Sequence, residues 1–434
     1  MNSEKLWVKV RDSFWFLPAL YSLISFGAVL ATSALDVWVV PKLKDLLPSL
    51  LLTEKSVAQD LYSSLITSIL TMTTISFSTI MVVLTTYTTQ FSPRTLQDFM
   101  GSRVTQHVLG VYSFGFVFSL LHLLLLGGDQ SGLISPTLTV LVAVVCLAFF
   151  ILFIHHSARF VQVNNLIGQI RSSASQVIQT TFSDEKYHVE EDWDLHDIKS
   201  LQTSVGRTIA APHSGYIQRI QFQPLLRWAQ QNNLLLEAHF RVGDYIQKGL
   251  PLFTYWQETD GTNKDLTACT HYILIGNERT DDQDIEFSIQ KLVEVAVKAI
   301  SPSINDPHTA VNCINRIGSL LFELAIVYRP LCYFADSNHQ LRLIIKPRQY
   351  KDYLYKAFYQ IRIYGKHDIS VVCGILEALY KIALIQSAPL KKEIWSFARY
   401  IMEAVDEGSL SKLDHEYYQG HVRQVAEACG KSVK

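Results

Sequence analysis

The sequence has few charged residues for its length, and they leave long gaps. Of 434 residues, 18% are Asp, Glu, Lys or Arg, whereas about 25% is usual in soluble domains. Residues 61–93 contain no charge at all. The formal net charge is −1, and the basic residues do not cluster with aromatic ones, so we expect no nucleic-acid partner. A shortage of charge that is concentrated before residue 160 predicts a membrane region followed by a soluble region.

Cysteines and short catalytic motifs are also scarce. The six cysteines form no CxxC pair and no metal-ligand spacing, so we expect no metal, no cofactor and a reducing compartment for the soluble half. The sequence lacks a P-loop, a GxGxxG loop, an HExxH motif and a GxSxG nucleophile elbow. We therefore expect that the protein is not an enzyme.

Four uncharged runs are long enough to cross a membrane as helices. They are residues 13–35, 61–93 and 104–128, and a fourth run within residues 130–158 that is centred on 134–156. The first run is too long for a signal-peptide core, so we interpret it as an uncleaved helix. The predicted fold class is an α-helical polytopic membrane domain of four transmembrane helices (residues 1–160), followed by a cytosolic α+β region.

The basic residues in the short flanks predict the orientation. One side of the membrane would hold seven of them: Lys5, Lys9, Arg11, Arg94, Arg103, Arg159 and Arg171. The other side would hold three: Lys42, Lys44 and Lys55. Because basic residues are retained on the inside, both termini should be cytoplasmic, and the membrane would be the bacterial inner (plasma) membrane.

The second span is unusual in its hydroxyl content. From Tyr62 to Thr89, 14 of the 28 residues are Ser or Thr. Five of them recur at helical spacing and share one face of the helix: Thr67, Thr71, Thr74, Ser78 and Thr85. We call these five residues the hydroxyl stripe. Such residues often bond to their own backbone or pack at helix interfaces, which is the interpretation we favour, but they also suit the lining of a pore.

Two further polar residues of the membrane region are candidates. His122 lies deep in the third span, where an ionisable residue is a functional hypothesis by default. It could contact a proton or an ion, but we favour a neutral imidazole bonded to the hydroxyl-rich helix. Arg94 follows the second span and could couple it to the cytosolic domain, although a topology anchor explains it more simply.

The soluble half begins with a helical and acidic linker (residues 161–199), in which 184–197 carry seven acidic residues. This run could attract cations beneath a pore, but a solvated linker is more typical. Residues 200–280 contain short β-rich segments. The segments PHSGYIQRI and VGDYIQKGLPL are similar to the half-motifs of lipoyl-type and biotinyl-type barrels, without the lysine hairpin that carries the cofactor. We therefore predict a small structural barrel with an inserted helix at 224–231.

Residues 281–434 show helical periodicity and predict a bundle of helices. Asp306 and Pro307 form a start signal for one of them, with Asp306 as the N-cap. Asn305, Asp306 and His308 are a possible ligand or docking site, because loop residues on a rigid scaffold often bind. Helix capping accounts for Asp306 without any such role.

Three segments together resemble a known family. They are TTYTTQFSPR at the end of the second span, the strand SGYIQRI, and AISPSINDPHTA. They are similar to a bacterial family of predicted integral membrane proteins that is named only as a domain of unknown function. The resemblance implies a four-helix membrane region and a cytosolic C-terminal domain. It implies no reaction, substrate or catalytic residue.

Three functions are compatible with these features. The first is an oligomeric ion channel in which several subunits contribute the hydroxyl stripe, with the lipid bilayer, copies of the same chain and inorganic ions as partners. The second is a membrane-anchored sensor or scaffold whose cytosolic domain binds a ligand or protein. The third is an enzyme that acts on a lipid or metabolite, which a cytosolic cleft around His308 would favour.

Overall fold

The computed structural model describes residues 13–43, 48, 52–91, 94, 102–127, 132–181, 193, 198, 206–257, 266–328, 333–336, 338–345, 348–384 and 387–432. The fold is mostly helical. It divides into two compact units, Met1–Leu166 and Ile167–Lys434. The acidic run at 184–197 lies outside the described residues except for Trp193.

The first unit is a bundle of four long helices. They are α1 (Phe16–Ala34), which continues through a π-helical turn (Leu35–Val39) into the short α2 (Val40–Leu43); α3 (Lys55–Gln90); α4 (Arg103–Leu125); and α5 (Ser135–Phe160). Helix α4 contacts α1, α3 and α5 and is the most buried of the four. Two glycines permit this close packing: a Cβ at Gly110 would lie 2.8 Å from the ring of Tyr21, and one at Gly115 would lie 2.7 Å from Cys146 Sγ.

Five described helices are long and apolar enough to cross a membrane. They are Phe16–Lys42, Lys55–Gln90, Arg103–Leu125, Ser135–Phe160 and Pro307–Val327. The first four coincide with the predicted runs. The fifth lies in the second unit, where Glu323 pairs with Arg171 and accepts a hydrogen bond of 2.5 Å from Ser175.

The second unit contains two sheets. Its first helix is α6 (Val163–Thr181), which begins just before the unit boundary. The strands are β1 (Arg207–Ala210), β2 (Gly215–Ile220), β3 (Leu234–Ala238), β4 (Tyr245–Ile246), β5 (Pro251–Gln257), β6 (Ile273–Gly276), β7 (Tyr333–Ala335) and β8 (Leu341–Ile345). One sheet has the order β1-β5-β3-β8-β7, and the other has the order β4-β2-β6. The short β-rich segments that the sequence predicts in 200–280 are confirmed as strands.

The predicted barrel is wrong. Strand β3 pairs in parallel with β8, with Leu236 opposite Leu343. The larger sheet runs from β1 at one edge to β7 at the other, so no barrel closes among the described strands. All five residues of β8 are buried, as is expected of a strand that has neighbours on both sides in the sheet. The sheet therefore includes strands from both sides of residue 280. Helix α7 (Phe222–Gln231) is the predicted inserted helix, and it packs on the core that both sheets share.

Helical periodicity identified the remaining helices well. They are α8 (Ile285–Ala299), α9 (Pro307–Val327), α10 (Tyr350–Gly365), α11 (Ile369–Ala383), α12 (Ala388–Met402) and α13 (Lys412–Ala428). Short 3₁₀ helices occur at Leu266–Tyr272 and Glu407–Ser409. Asp306 caps α9 as predicted, since its carboxylate accepts hydrogen bonds from the Thr309 backbone N–H (3.1 Å) and hydroxyl (2.6 Å).

A charged network joins residues 241–246, the turn and strand that we call the β4 hairpin, to α8 and the start of α10. Arg279 donates two hydrogen bonds to the Asp284 carboxylate, at 2.7 and 2.8 Å. Glu286 accepts from both Arg279 and Arg348, and Arg348 also donates to Asp244 at 3.2 Å. Burial raises the pKa of Asp284 although Arg279 favours its charged form. Because Glu286 lies between two guanidinium groups, it is the centre of this network.

Candidate functional site

The hydroxyl stripe lies on the side of α3 that faces away from the bundle. The residues of α3 that the bundle buries are Ala58, Tyr62, Ile69, Ser76, Ile80, Val83 and Tyr87. At about 3.6 residues per turn, these residues lie roughly opposite the stripe. All five stripe residues are exposed in the single chain. The structure therefore brings them together on one free face, as the sequence predicts.

Each stripe hydroxyl donates a hydrogen bond to a backbone carbonyl one turn earlier. The donor–acceptor distances are 2.9 Å for Thr67, 2.8 Å for Thr71, 2.9 Å for Thr74, 3.0 Å for Ser78 and 2.8 Å for Thr85. The favoured backbone bonding is thus confirmed. Because the hydrogen is used internally, each oxygen presents only acceptor lone pairs outward. The lining of a pore by this face stays a prediction.

His122 does not bond to the hydroxyl-rich helix, which corrects the favoured interpretation. Its Nε2 lies 2.8 Å from Thr32 Oγ1 of α1, because α1 packs closely against α4. The contact with α3 is a ring stack instead, with the centroids of His122 and Tyr62 separated by 5.7 Å. The imidazole is 4% exposed. His122 is therefore an interior residue that connects three helices.

Asp36 is a buried acid that sequence reasoning did not single out. It lies in the π-helical turn after α1, and π-helical turns are frequent at functional sites. Its carboxylate accepts a hydrogen bond from the Ile134 N–H at 2.7 Å and contacts the Ser135 N–H at the start of α5. Ser135 Oγ in turn accepts a hydrogen bond of 2.9 Å from the Tyr62 hydroxyl. Only its position at the edge of the first run marks Asp36 in the sequence.

Arg94 is exposed and follows the end of α3 at Gln90. The intervening Ser92 and Pro93 lie outside the described residues. Arg94 therefore follows the second predicted span in the structure as it does in the sequence. Its role as a coupling residue or a topology anchor stays a prediction.

Asn305 and Asp306 lie in the turn between α8 and α9, and His308 lies in the first turn of α9. Asn305 has a left-handed φ of 52°, a conformation that asparagine tolerates better than most residues. The Asp306 N–H donates to the Ala299 carbonyl at 2.8 Å, which closes the turn. Hydrogen bonds from Thr309 and the nearby His308 lower the pKa of Asp306. Asn305 and His308 are exposed, so this segment presents an amide and an imidazole to solvent beside the half-buried carboxylate of Asp306.

Comparisons with known proteins place the chain among uncharacterised relatives. It is 26% identical over 320 residues to the uncharacterized protein Rv1290c of Mycobacterium tuberculosis H37Rv and to the uncharacterized protein Mb1321c of Mycobacterium bovis. These alignments cover 71% of this chain and 60% of each relative, so the chain spans about three fifths of their length. No solved structure matches it. A family model matches residues 11–381, and the chain belongs to the DUF2254 family, which is described as a predicted membrane protein.

Proposed function

We propose that the protein is an oligomeric ion channel of the bacterial inner membrane, lined by the hydroxyl stripe of α3. Helices α1, α3, α4 and α5 cross the membrane, both termini are cytoplasmic, and the second unit forms a cytosolic vestibule or gate. Helix α9 is assigned to the cytosolic unit, because its Glu323 is paired with Arg171 of α6. The proposal assigns no catalytic residue.

One observation carries the proposal: the stripe is exposed on the face of α3 opposite to the bundle. The bundle interior is filled by large side chains such as Tyr62, Tyr112 and Phe153, each almost fully buried. The interior of one bundle therefore has no room for a wide aqueous path. Several copies that turn their α3 stripes towards a common axis would enclose such a path with hydroxyl groups.

The chemistry of the stripe favours cations. Its oxygens face outward as acceptors, and acceptor oxygens replace the hydration shell of a cation, whereas an anion requires donors. Asp60 is exposed and lies seven residues before Thr67, on the same face. A ring of such carboxylates at one mouth of the path would concentrate cations. Asn305, Asp306 and His308 remain candidates for the ligand or docking contact that controls the gate.

The test is potassium flux into proteoliposomes. Thr71→Val/Thr74→Val keeps the shape of both side chains but removes two oxygens from the path. We expect it to lower the flux by about tenfold, because the loss of about one hydrogen bond to the ion raises the free-energy barrier to its passage by a corresponding amount. The matched control is Thr73→Val/Thr79→Val, which removes two equally self-bonded hydroxyls of α3 that lie off the stripe. Equal effects of the two pairs would contradict a lining role for the stripe.

A membrane-anchored sensor or scaffold is the second candidate. The observation that favours it is the internal bonding of every stripe hydroxyl, because such a face can also sit at a dry helix interface. Single cysteines along residues 67–85 distinguish the two functions by their reactivity with a water-soluble thiol reagent. Protection along the whole stripe, together with no flux at any voltage, pH or osmotic tension, would favour the sensor or scaffold.

A further inference from the structure

A second set of polar side chains runs through the interior of the bundle. Thr105, Tyr112, Ser119 and His122 follow one side of α4 at intervals of seven, seven and three residues. Their exposed fractions are 0%, 1%, 0% and 4%. We call these four residues the interior column. They are separate from the hydroxyl stripe, because the stripe lies on the outer face of α3.

Neighbouring helices add polar groups that face the interior. The Ser76 hydroxyl of α3 and the Cys146 thiol of α5 lie beside the Tyr112 hydroxyl. Ser157 of α5 is 2% exposed, and Ser76 and Cys146 are fully buried. All four helices of the bundle carry buried polar residues, since Ser25 of α1 is also 0% exposed.

Several of these hydroxyls have no hydrogen-bond partner. Within the described residues of the bundle, Ser25 Oγ, Thr105 Oγ1 and Ser157 Oγ have no partner, and Ser76 Oγ and Tyr112 OH have none but each other, without hydrogen-bond geometry between them. Burying a polar group without a hydrogen-bond partner costs about 1–3 kcal/mol of stability, and the surrounding lipid offers no such partner. Buried water is the usual partner of such groups in proteins. The column therefore has the chemistry of a hydrated path.

The close packing restricts what can occupy this path. The Cβ that Gly115 lacks would lie 2.7 Å from Cys146 Sγ and 3.2 Å from the Ile69 side chain. Helices α4 and α5 thus approach closely at the level of Tyr112. This close packing excludes a hydrated metal cation or an organic ligand and leaves protons as the species that such a path could carry.

Imidazole groups stand at both ends of the column. His122 contacts Thr32 at one end, near Tyr62 and Asp36. At the other end His156 Nε2 lies 3.2 Å from the Ser102 hydroxyl, one turn of α4 before Thr105. Histidine is the side chain that gains and loses a proton most readily near neutral pH. The column therefore ends at a group of this kind on both sides.

We propose that each chain conducts protons through the interior of its bundle, between His122 and His156. Successive hydroxyls of the column are at most about 10.5 Å apart along α4, a gap that a few water molecules in file can bridge. Each oxygen accepts a proton from one neighbour and releases its own to the next, so nothing is consumed. The Ser119 hydroxyl donates to the Gly115 carbonyl at 2.8 Å and must leave this bond to take part. This path differs from the potassium path between subunits and does not depend on it.

The experiment is proton flux into proteoliposomes that contain a pH-sensitive dye, with the membrane potential clamped by valinomycin and potassium. Tyr112→Phe removes one hydroxyl and leaves the ring in place. We expect it to lower the proton flux by about tenfold, since one relay oxygen is lost. Thr105→Val provides the same test at a second level and preserves the side-chain shape. Thr79→Val is the matched control, because its hydroxyl donates to the Ile75 carbonyl outside the column.

Two results would overturn the inference. One is wild-type proton flux no greater than that of empty liposomes. The other is Tyr112→Phe and Thr105→Val at the wild-type rate while Thr71→Val/Thr74→Val loses the flux, which would assign the protons to the stripe. Potassium flux in matched vesicles without valinomycin keeps the two proposals distinguishable. Tyr112-dependent proton flux without potassium flux would overturn the channel proposal alone.

Discussion

At the scale of single residues, Asp306 shows how one carboxylate serves local structure within a candidate site. It caps α9 through two hydrogen bonds from Thr309 and closes the turn after α8. The same turn exposes Asn305 and His308. A change at Asp306 therefore affects the stability of the second unit and the presentation of any ligand contact together.

Asp306→Ala should lower the free energy of unfolding of the second unit by about 1 kcal/mol, because α9 loses its N-cap. Asp306→Asn should retain most of the stability at neutral pH, since asparagine caps helices equally well. Urea titration of the solubilised protein, monitored by tryptophan fluorescence, measures both. A loss as large for Asn as for Ala would show that the charge matters more than the cap.

The lowered pKa of Asp306 also fixes the sign of a pH effect. A carboxyl group whose pKa is lower in the folded state contributes stability above its ordinary pKa and loses it as the pH falls through the folded value. Wild-type stability should therefore fall more steeply than that of Asp306→Asn as the medium becomes more acidic than the ordinary aspartate pKa. Parallel curves for the two proteins would exclude this contribution.

At the scale of elements, buried charge joins segments that are distant in sequence. Arg279 and Arg348 meet at Glu286, which is 7% exposed, and the network connects the β4 hairpin with α8 and α10. Gly243, with a φ of +87°, lets the hairpin approach, since a Cβ there would lie 2.3 Å from Asp284 Oδ2. The packing of these elements thus depends on a complete set of partners.

Glu286→Gln should destabilise the second unit by about 3 kcal/mol, because the half-exposed Asp244 is then the one charged partner of Arg348 among the described residues. The control is Glu377→Gln, which removes the exposed pair with Lys381 and should cost less than about 0.5 kcal/mol. Urea titrations of the three proteins measure the difference. Equal, small effects would show that water replaces the lost partner of Arg348.

At the scale of the whole molecule, features that depend on local sequence patterns could be predicted far better than features that depend on contacts between distant segments. Uncharged runs and helical periodicity located the helices, and the Asp306–Pro307 signal located the start of α9. The parallel pairing of β3 with β8 joins segments about a hundred residues apart, and no local pattern encodes it. For the same reason the sequence placed His122 against α3, whereas its hydrogen bond goes to Thr32 of α1.

The exposed stripe also sets an expectation for the assembly. If copies of α3 surround a narrow axis, stripe residues of neighbouring chains lie closer together than residues on the lipid-facing side of α5. Thr74→Cys should then form disulfide-linked dimers in membranes under mild oxidation. Leu141→Cys is the control, because Leu141 is 59% exposed on α5. The five described native cysteines are buried and form no disulfide with one another, so they should contribute little background. Equal cross-linking at both positions would indicate random collisions, and the stripe would then have to face lipid or another protein.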